Sequence, residues 1–84
     1  MQAKHARLAR LPEILERIGI SRSSLHNRIK DGLWCPPIRI GSRSVGFINY
    51  EIDELLKAYI RGSSPSEIRE LVKKLVADRK EENL

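Results

Sequence analysis

The sequence predicts a mainly α-helical protein with one small β-hairpin, and three stretches carry that expectation. Leu11 to Gly32, LPEILERIGISRSSLHNRIKDG, has two short apolar stripes of helical period on either side of Gly19 and Ser21. Ile38-Arg39-Ile40 and Val45-Gly46-Phe47-Ile48 are β-prone runs joined by Gly41-Ser42-Arg43-Ser44, which has turn chemistry. Ser64-Pro65-Ser66-Glu67 is a capping box with proline at the first helical position, so it opens a late helix. Taken in order, these pieces describe a winged helix-turn-helix plus a C-terminal amphipathic helix. The chain has 84 residues, room for one small domain, expected over 7–61. Residues 62–84 are expected to form an interaction or oligomerisation element.

From the N-terminus, residues 1–6 read as a poorly tied end, and Ala6 to Leu11 as a brief strand with Arg7 and Arg10 alternating. Pro12 suits a helix start, and Leu11, Ile14, Leu15 and Ile18 form one apolar face. Gly19 ends that helix and Ser21 caps the next, its hydroxyl accepting from the backbone N–H of Ser23 or Ser24. Leu25 and Ile29 continue the stripe, leaving Arg22, Ser23, His26, Asn27 and Lys30 on the free face. Asp31-Gly32 is a turn, and Trp34-Cys35-Pro36-Pro37 cannot continue a helix. In the hairpin, Arg43 sits at the tip and Arg39 on the polar side. Asn49 is expected to cap a third helix with the face Ile52, Leu55, Leu56, Tyr59 and Ile60, closing the core over Ile14, Ile18, Leu25 and Ile29. The fourth helix carries Ile68, Leu71, Val72, Leu75 and Val76, and the charged tail from Asp78 is expected to fray.

The net charge of +5 is unevenly spread. Residues 1–43 hold nine Lys/Arg against three Asp/Glu, and residues 44–84 hold seven against eight. The positive charge is thus gathered around the second helix and the hairpin, where a polyanion would bind. Cys35 is the single cysteine, which excludes an intrachain disulfide and fits a reducing compartment. MQAKHARLAR has no apolar signal core and no run approaches a membrane span, so a cytoplasmic, nucleoid-associated location is expected. No nucleophile–base pair, metal-ligand spacing or glycine-rich phosphate loop emerges from His5, His26, Cys35 or the acidic pairs. Neither an enzyme nor a cofactor or metal site is expected. With four aromatics in all, a base-stacking RNA sheet is poorly supported. Trp34 and Cys35 read as packing residues.

The segments RLPEILERIGISRSSLHNRIKDG, PPIRIG and GFINYEIDELL together resemble the AlpA family of small prophage and mobile-element regulators, related to excisionases and more distantly to MerR-type DNA-binding domains. The resemblance covers roughly residues 7–60. It implies a winged helix-turn-helix that binds DNA, regulating transcription or promoting excision, with the recognition helix on Ser21 to Lys30 and the wing on Arg39 to Val45. Three positions depart from the family pattern. Cys35 stands where the family usually has proline, Phe47 where it has tryptophan, and Tyr50 where a serine often starts a capping box.

The expected interface divides its work. Arg22, Ser23, His26 and Asn27 would meet base edges in the major groove, where arginine pairs with guanine and asparagine with adenine. Arg7, Ser21, Arg28, Lys30, Arg39, Ser42 and Arg43 would hold phosphates, giving affinity without sequence choice. A module this small reads few base pairs, so a homodimer or cooperative multimer on repeated sites is expected, or an integrase or RNA polymerase held nearby. The stripe Ile68, Leu71, Val72, Leu75 and Val76 is the expected oligomer or partner interface. Packing of that helix on its own domain is the competing reading. Plain alternatives stand beside each assignment: an ordinary helical hairpin with a solvated face, a surface hairpin in place of a wing, and a solvated His26. A protein-interaction adaptor using the fourth helix is the alternative function. An interfacial membrane helix over 65–80 is disfavoured by the mixed charges Glu67, Glu70, Lys73 and Lys74.

Overall fold

A computed structural model describes residues 7–81. His5, the expected loose N-terminus at residues 1–6, and residues 82–84 lie outside the described part. Seven elements follow one another: β1 (Leu8–Ala9), α1 (Leu11–Ile18), α2 (Arg22–Lys30), β2 (Ile38–Arg39), β3 (Val45–Ile48), α3 (Asn49–Arg61) and α4 (Pro65–Glu81). The hairpin is therefore part of a three-stranded antiparallel sheet, with β3 between β1 and β2. Leu8 pairs with Ile48 and Ala9 with Phe47 on one side, and Ile38 pairs with Gly46 and Arg39 with Val45 on the other. Gly46 lies close to β1: a Cβ there would stand 3.2 Å from the Leu8 Cβ, a tight contact.

The helix-turn-helix forms by the capping chemistry expected of it. Pro12 lies in the first turn of α1, and Gly19 closes the helix at φ +68°, its N–H donating to the Leu15 carbonyl. The Ser21 hydroxyl accepts from the Ser24 N–H at 3.1 Å, which starts α2. Ile14 and Leu25 are buried, and Leu15, Ile18 and Ile29 pack partly buried around them. Arg17 on α1 reaches Asp53 on α3 at 2.7 Å.

The start and the face of α3 differ from expectation. Asn49 is the first helical residue and not the cap, because β3 runs straight into the helix and Ile48 holds the extended cap conformation. The Ile48 side chain makes no capping hydrogen bond, and the Asn49 N–H donates to the Arg7 carbonyl at 2.7 Å. Ile52, Leu55 and Ala58 are buried, but Ile60 is 84% exposed. At about 100° per residue, Glu51, Leu55 and Ala58 lie on one side of Ile52 and Ile60 on the other. α4 packs on the former side, so the buried arc is turned away from Ile60.

The fourth helix also corrects the sequence reading. Its capping box is formed in both directions, Glu67 N–H to Ser64 Oγ at 3.2 Å and Ser64 N–H to Glu67 Oε1 at 2.7 Å. Gly62 at φ +82° makes a tight turn whose N–H groups are tied to α3, Gly62 to Tyr59 and Ser63 to Ala58. The helix thus folds back. Ile68, Val72 and Leu75 are buried in the same core as Ile14, Trp34 and Leu55, and Leu71 and Val76 pack partly buried against it. Ile68, Val72 and Leu75 are not available to a second chain, because α3 already covers them. Residues 62–81 belong to the domain.

Arg79 continues the line 68, 72, 75, and so meets α3 as well. Its Nη2 and Nε donate to the Glu51 carboxylate at 2.7 and 2.8 Å, and Nη2 also donates to the Pro36 carbonyl at 2.7 Å. Glu51 is 2% exposed. The hydrogen bonds to Glu51 hold the Arg79 guanidinium above its ordinary pKa. The tail that composition marks for fraying is helical through Glu81, because this buried pair anchors its last turn.

Candidate nucleic-acid interface

α2 presents a polar arc because its apolar positions are few and clustered. Leu25 is its buried residue and Ile29 packs partly buried beside it. Arg22, Ser23, His26, Asn27 and Lys30 are all exposed and fall within about 140° of one another around the helix. They form one continuous surface. None of Arg22, Lys30, Arg39 or Arg43 is in an ion pair among the described residues, whose five bridges use other groups. Ser21 is exposed at the start of α2, but its hydroxyl is engaged by the Ser24 N–H and Ser24 Oγ.

The wing stands beside this arc. The Ile40 N–H donates to the Ser44 carbonyl at 2.9 Å, closing the turn that displays Gly41, Ser42 and Arg43, all exposed. Arg39, exposed, pairs with Val45 at the base of the turn. An apolar cleft of about 360 Å³ separates wing from helix, lined by Leu25, Ile29, Pro37, Val45 and Phe47, with Arg22 and His26 contributed by α2. Two cationic surfaces therefore flank one groove in the protein, Arg22 and Lys30 on the helix and Arg39 and Arg43 on the wing.

Two expected phosphate contacts are placed elsewhere. Arg28 is half-buried, its guanidinium 4.9 Å from the centre of the Tyr59 ring. It lies outside the arc, because position 28 is a further 100° or so beyond Asn27. The Tyr59 ring in turn stacks on Trp34 at 6.0 Å, and its hydroxyl donates to the Leu33 carbonyl at 2.7 Å. Burial raises the Tyr59 phenol above its ordinary pKa, with the Arg28 cation pulling it back. Arg28 thus helps to seat α2 on α3. Arg7 is exposed, but it precedes β1, whose Leu8 pairs with Ile48, at the opposite end of β3 from the wing tip.

Sequence reasoning did not single out Glu51, Arg69 or Arg79. The Arg69 Nε donates to the Asp31 carbonyl at the C-terminal end of α2, at 3.0 Å. One signal was available for Arg79, its place on the apolar line of α4; nothing local marks Arg69. Among the described residues no cluster of His, Cys, Asp and Glu could hold a metal ion, and no helix is long and apolar enough to cross a membrane.

Comparison with known proteins matches residues 7–60 to the family described as prophage CP4-57 regulatory protein (AlpA). The match runs from the residue before β1 almost to the end of α3 and leaves out α4. An uncharacterized protein, ORF88, of Enterobacteria phage P4 is 29% identical over 56 residues, covering 67% of this chain and 64% of that protein. The aligned part of the chain spans just under two thirds of this curated relative. No solved structure matches.

Proposed function

The chain belongs to the AlpA family of prophage regulatory proteins, and we propose that it acts by binding duplex DNA sequence-specifically through α2 and the wing. One observation carries the reading: the arc Arg22, Ser23, His26, Asn27 and Lys30, without an ion pair among the described residues, lies across a cleft from the wing that bears Arg39 and Arg43. Arg22 and Asn27 have the forked hydrogen-bonding groups that distinguish guanine and adenine in the major groove, with Ser23 and His26 beside them. Lys30, Arg39 and Arg43, with Ser42, take phosphates. Arg7 and Ser21 stay at the margin of the site.

One such module reads a handful of base pairs, so regulation uses several copies on repeated half-sites. The copies meet through the DNA or through surfaces other than the buried side of α4. Control of a promoter and promotion of excision both begin with that occupancy. The former then acts on RNA polymerase, the latter on an integrase.

Selection of bound duplexes from a random pool tests the proposal. A recurring motif is expected, with retention that falls steeply as salt rises. Three phosphate contacts per copy give a slope of about −3 in log affinity against log salt. An unenriched pool together with salt-independent retention would refute DNA reading and leave the adaptor reading.

A further inference from the structure

The connector between α2 and the wing, residues 31–37, is held by its main-chain carbonyls. Three of them accept a hydrogen bond from a side chain of the C-terminal helices. Arg69 of α4 donates to Asp31 at 3.0 Å, Tyr59 of α3 to Leu33 at 2.7 Å, and Arg79 of α4 to Pro36 at 2.7 Å. The two arginines of α4 thus grip the connector at both ends, one where the recognition helix stops and one just before the wing begins. The Arg69 stem also lies over Gly32, where its Cγ would be 3.8 Å from an added Cβ. Gly32 itself is left-handed, at φ +77°.

We infer that α4 is a brace that sets the recognition helix and the wing at the spacing duplex DNA requires, with Arg69 and Arg79 as its positioning residues; this rests on the DNA-binding reading above. Neither arginine touches DNA. A helix in the groove and a hairpin on the backbone bind together only if their separation matches the duplex, and a displacement of about 1 Å is enough to lose contacts of hydrogen-bond length. Hydrogen bonds to carbonyls at both ends of a seven-residue connector fix that separation directly. The coupling is reciprocal, so DNA that engages both surfaces also holds α4 more firmly.

The test uses the full chain and a duplex selected from the random pool. Arg69→Met keeps the stem and removes the donor, at an exposed position where the fold tolerates it. Arg79→Lys keeps a cation opposite Glu51, but one ammonium cannot reproduce the fixed fork that serves the carboxylate and the Pro36 carbonyl together. Each variant is expected to lose about fivefold or more in affinity, the lower end of ordinary coupling between sites. The magnitude of the salt slope should fall by about one for each wing phosphate lost. Circular dichroism at the same temperature should show both variants folded, and Arg69→Lys, which can still donate to Asp31, should recover most of the affinity. Variants that melt earlier but bind with wild-type affinity and slope when folded would overturn the brace. A wild-type chain that no duplex retains would instead overturn the DNA-binding reading itself, and the brace with it.

Discussion

Replacing Arg79 by methionine isolates the ion pair that ends α4. The guanidinium gives two hydrogen bonds to Glu51, at 2.7 and 2.8 Å, and Glu51 is 2% exposed. The methionine stem fills much of the same volume, so the change removes charge and donors more than packing. The carboxylate is left buried without its counter-charge. Breaking a buried pair in this way costs about 3–5 kcal/mol. A domain of this size has roughly 5–10 kcal/mol of stability in total. At roughly 4–8 °C per kcal/mol, the melting temperature should fall by at least about 12 °C. Adding Glu51→Met should recover most of the loss, because a buried pair replaced by apolar side chains of similar volume is close to neutral. Thermal and urea unfolding, followed by far-ultraviolet circular dichroism, measure all three variants. A loss below about 1 kcal/mol for Arg79→Met, the range of an exposed pair, would refute the buried anchor.

Four further outcomes are expected. Arg22→Ala and Asn27→Ala should each cost about 1–3 kcal/mol on the preferred duplex and relax its sequence preference, and equal losses on random DNA would reduce them to phosphate contacts. Arg43→Ala should weaken binding to every duplex and lower the magnitude of the salt slope by about one, without changing the melting temperature; an unchanged slope removes the wing tip from the interface. Leu75→Ala should destabilise the domain by about 2–5 kcal/mol, as for any buried leucine, and a variant as stable as wild type would show that α4 does not share the core. Cys35 is buried beside Glu51, and burial first, then that carboxylate, pushes its thiol from 9.0 up to about 12. A raised native pKa means that stability is full below pH 9 and is lost as pH rises towards 12. Between pH 8 and pH 10 the unfolded thiol ionises and the native one does not, so wild type should lose about 1.4 kcal/mol more than Cys35→Ala. Equal losses in the two proteins would place the thiol in water.

Where structure is set by neighbours in sequence, the sequence was readable. Gly19, Ser21, the Ser64–Glu67 capping box and the Gly41–Ser44 turn each form as their chemistry demands, because every partner lies within four residues. The exposed arc of α2 was readable for the same reason, since it follows from Leu25 and Ile29 alone. The failures lie where distant elements meet. Ile60 matched the helical period of α3, yet α4 turned the buried arc the other way. The stripe of α4 was visible, but whether its own domain or another chain covers it depends on the turn at Gly62, which directs the helix back. Arg28 looked like its neighbours in composition, and only its angle around α2 assigns it to Tyr59. Glu51 and Arg79 are 28 residues apart and are joined by no local pattern. A buried charge pair of that separation is a tertiary fact, and composition alone reads its arginine as part of a solvated tail.

If one face, made of α2 and the wing, takes duplex DNA, contact with the duplex will perturb that face first. Amide chemical shifts of the isotope-labelled full chain, titrated with the selected duplex at low salt, test it most directly. The largest changes are expected at Arg22–Lys30 and Arg39–Val45, with smaller ones through the 31–37 connector, and little change on the outer face of α4 at Lys73, Ala77 and Lys80. Shifts concentrated on that outer face, with the α2 arc and the wing unmoved, would contradict it.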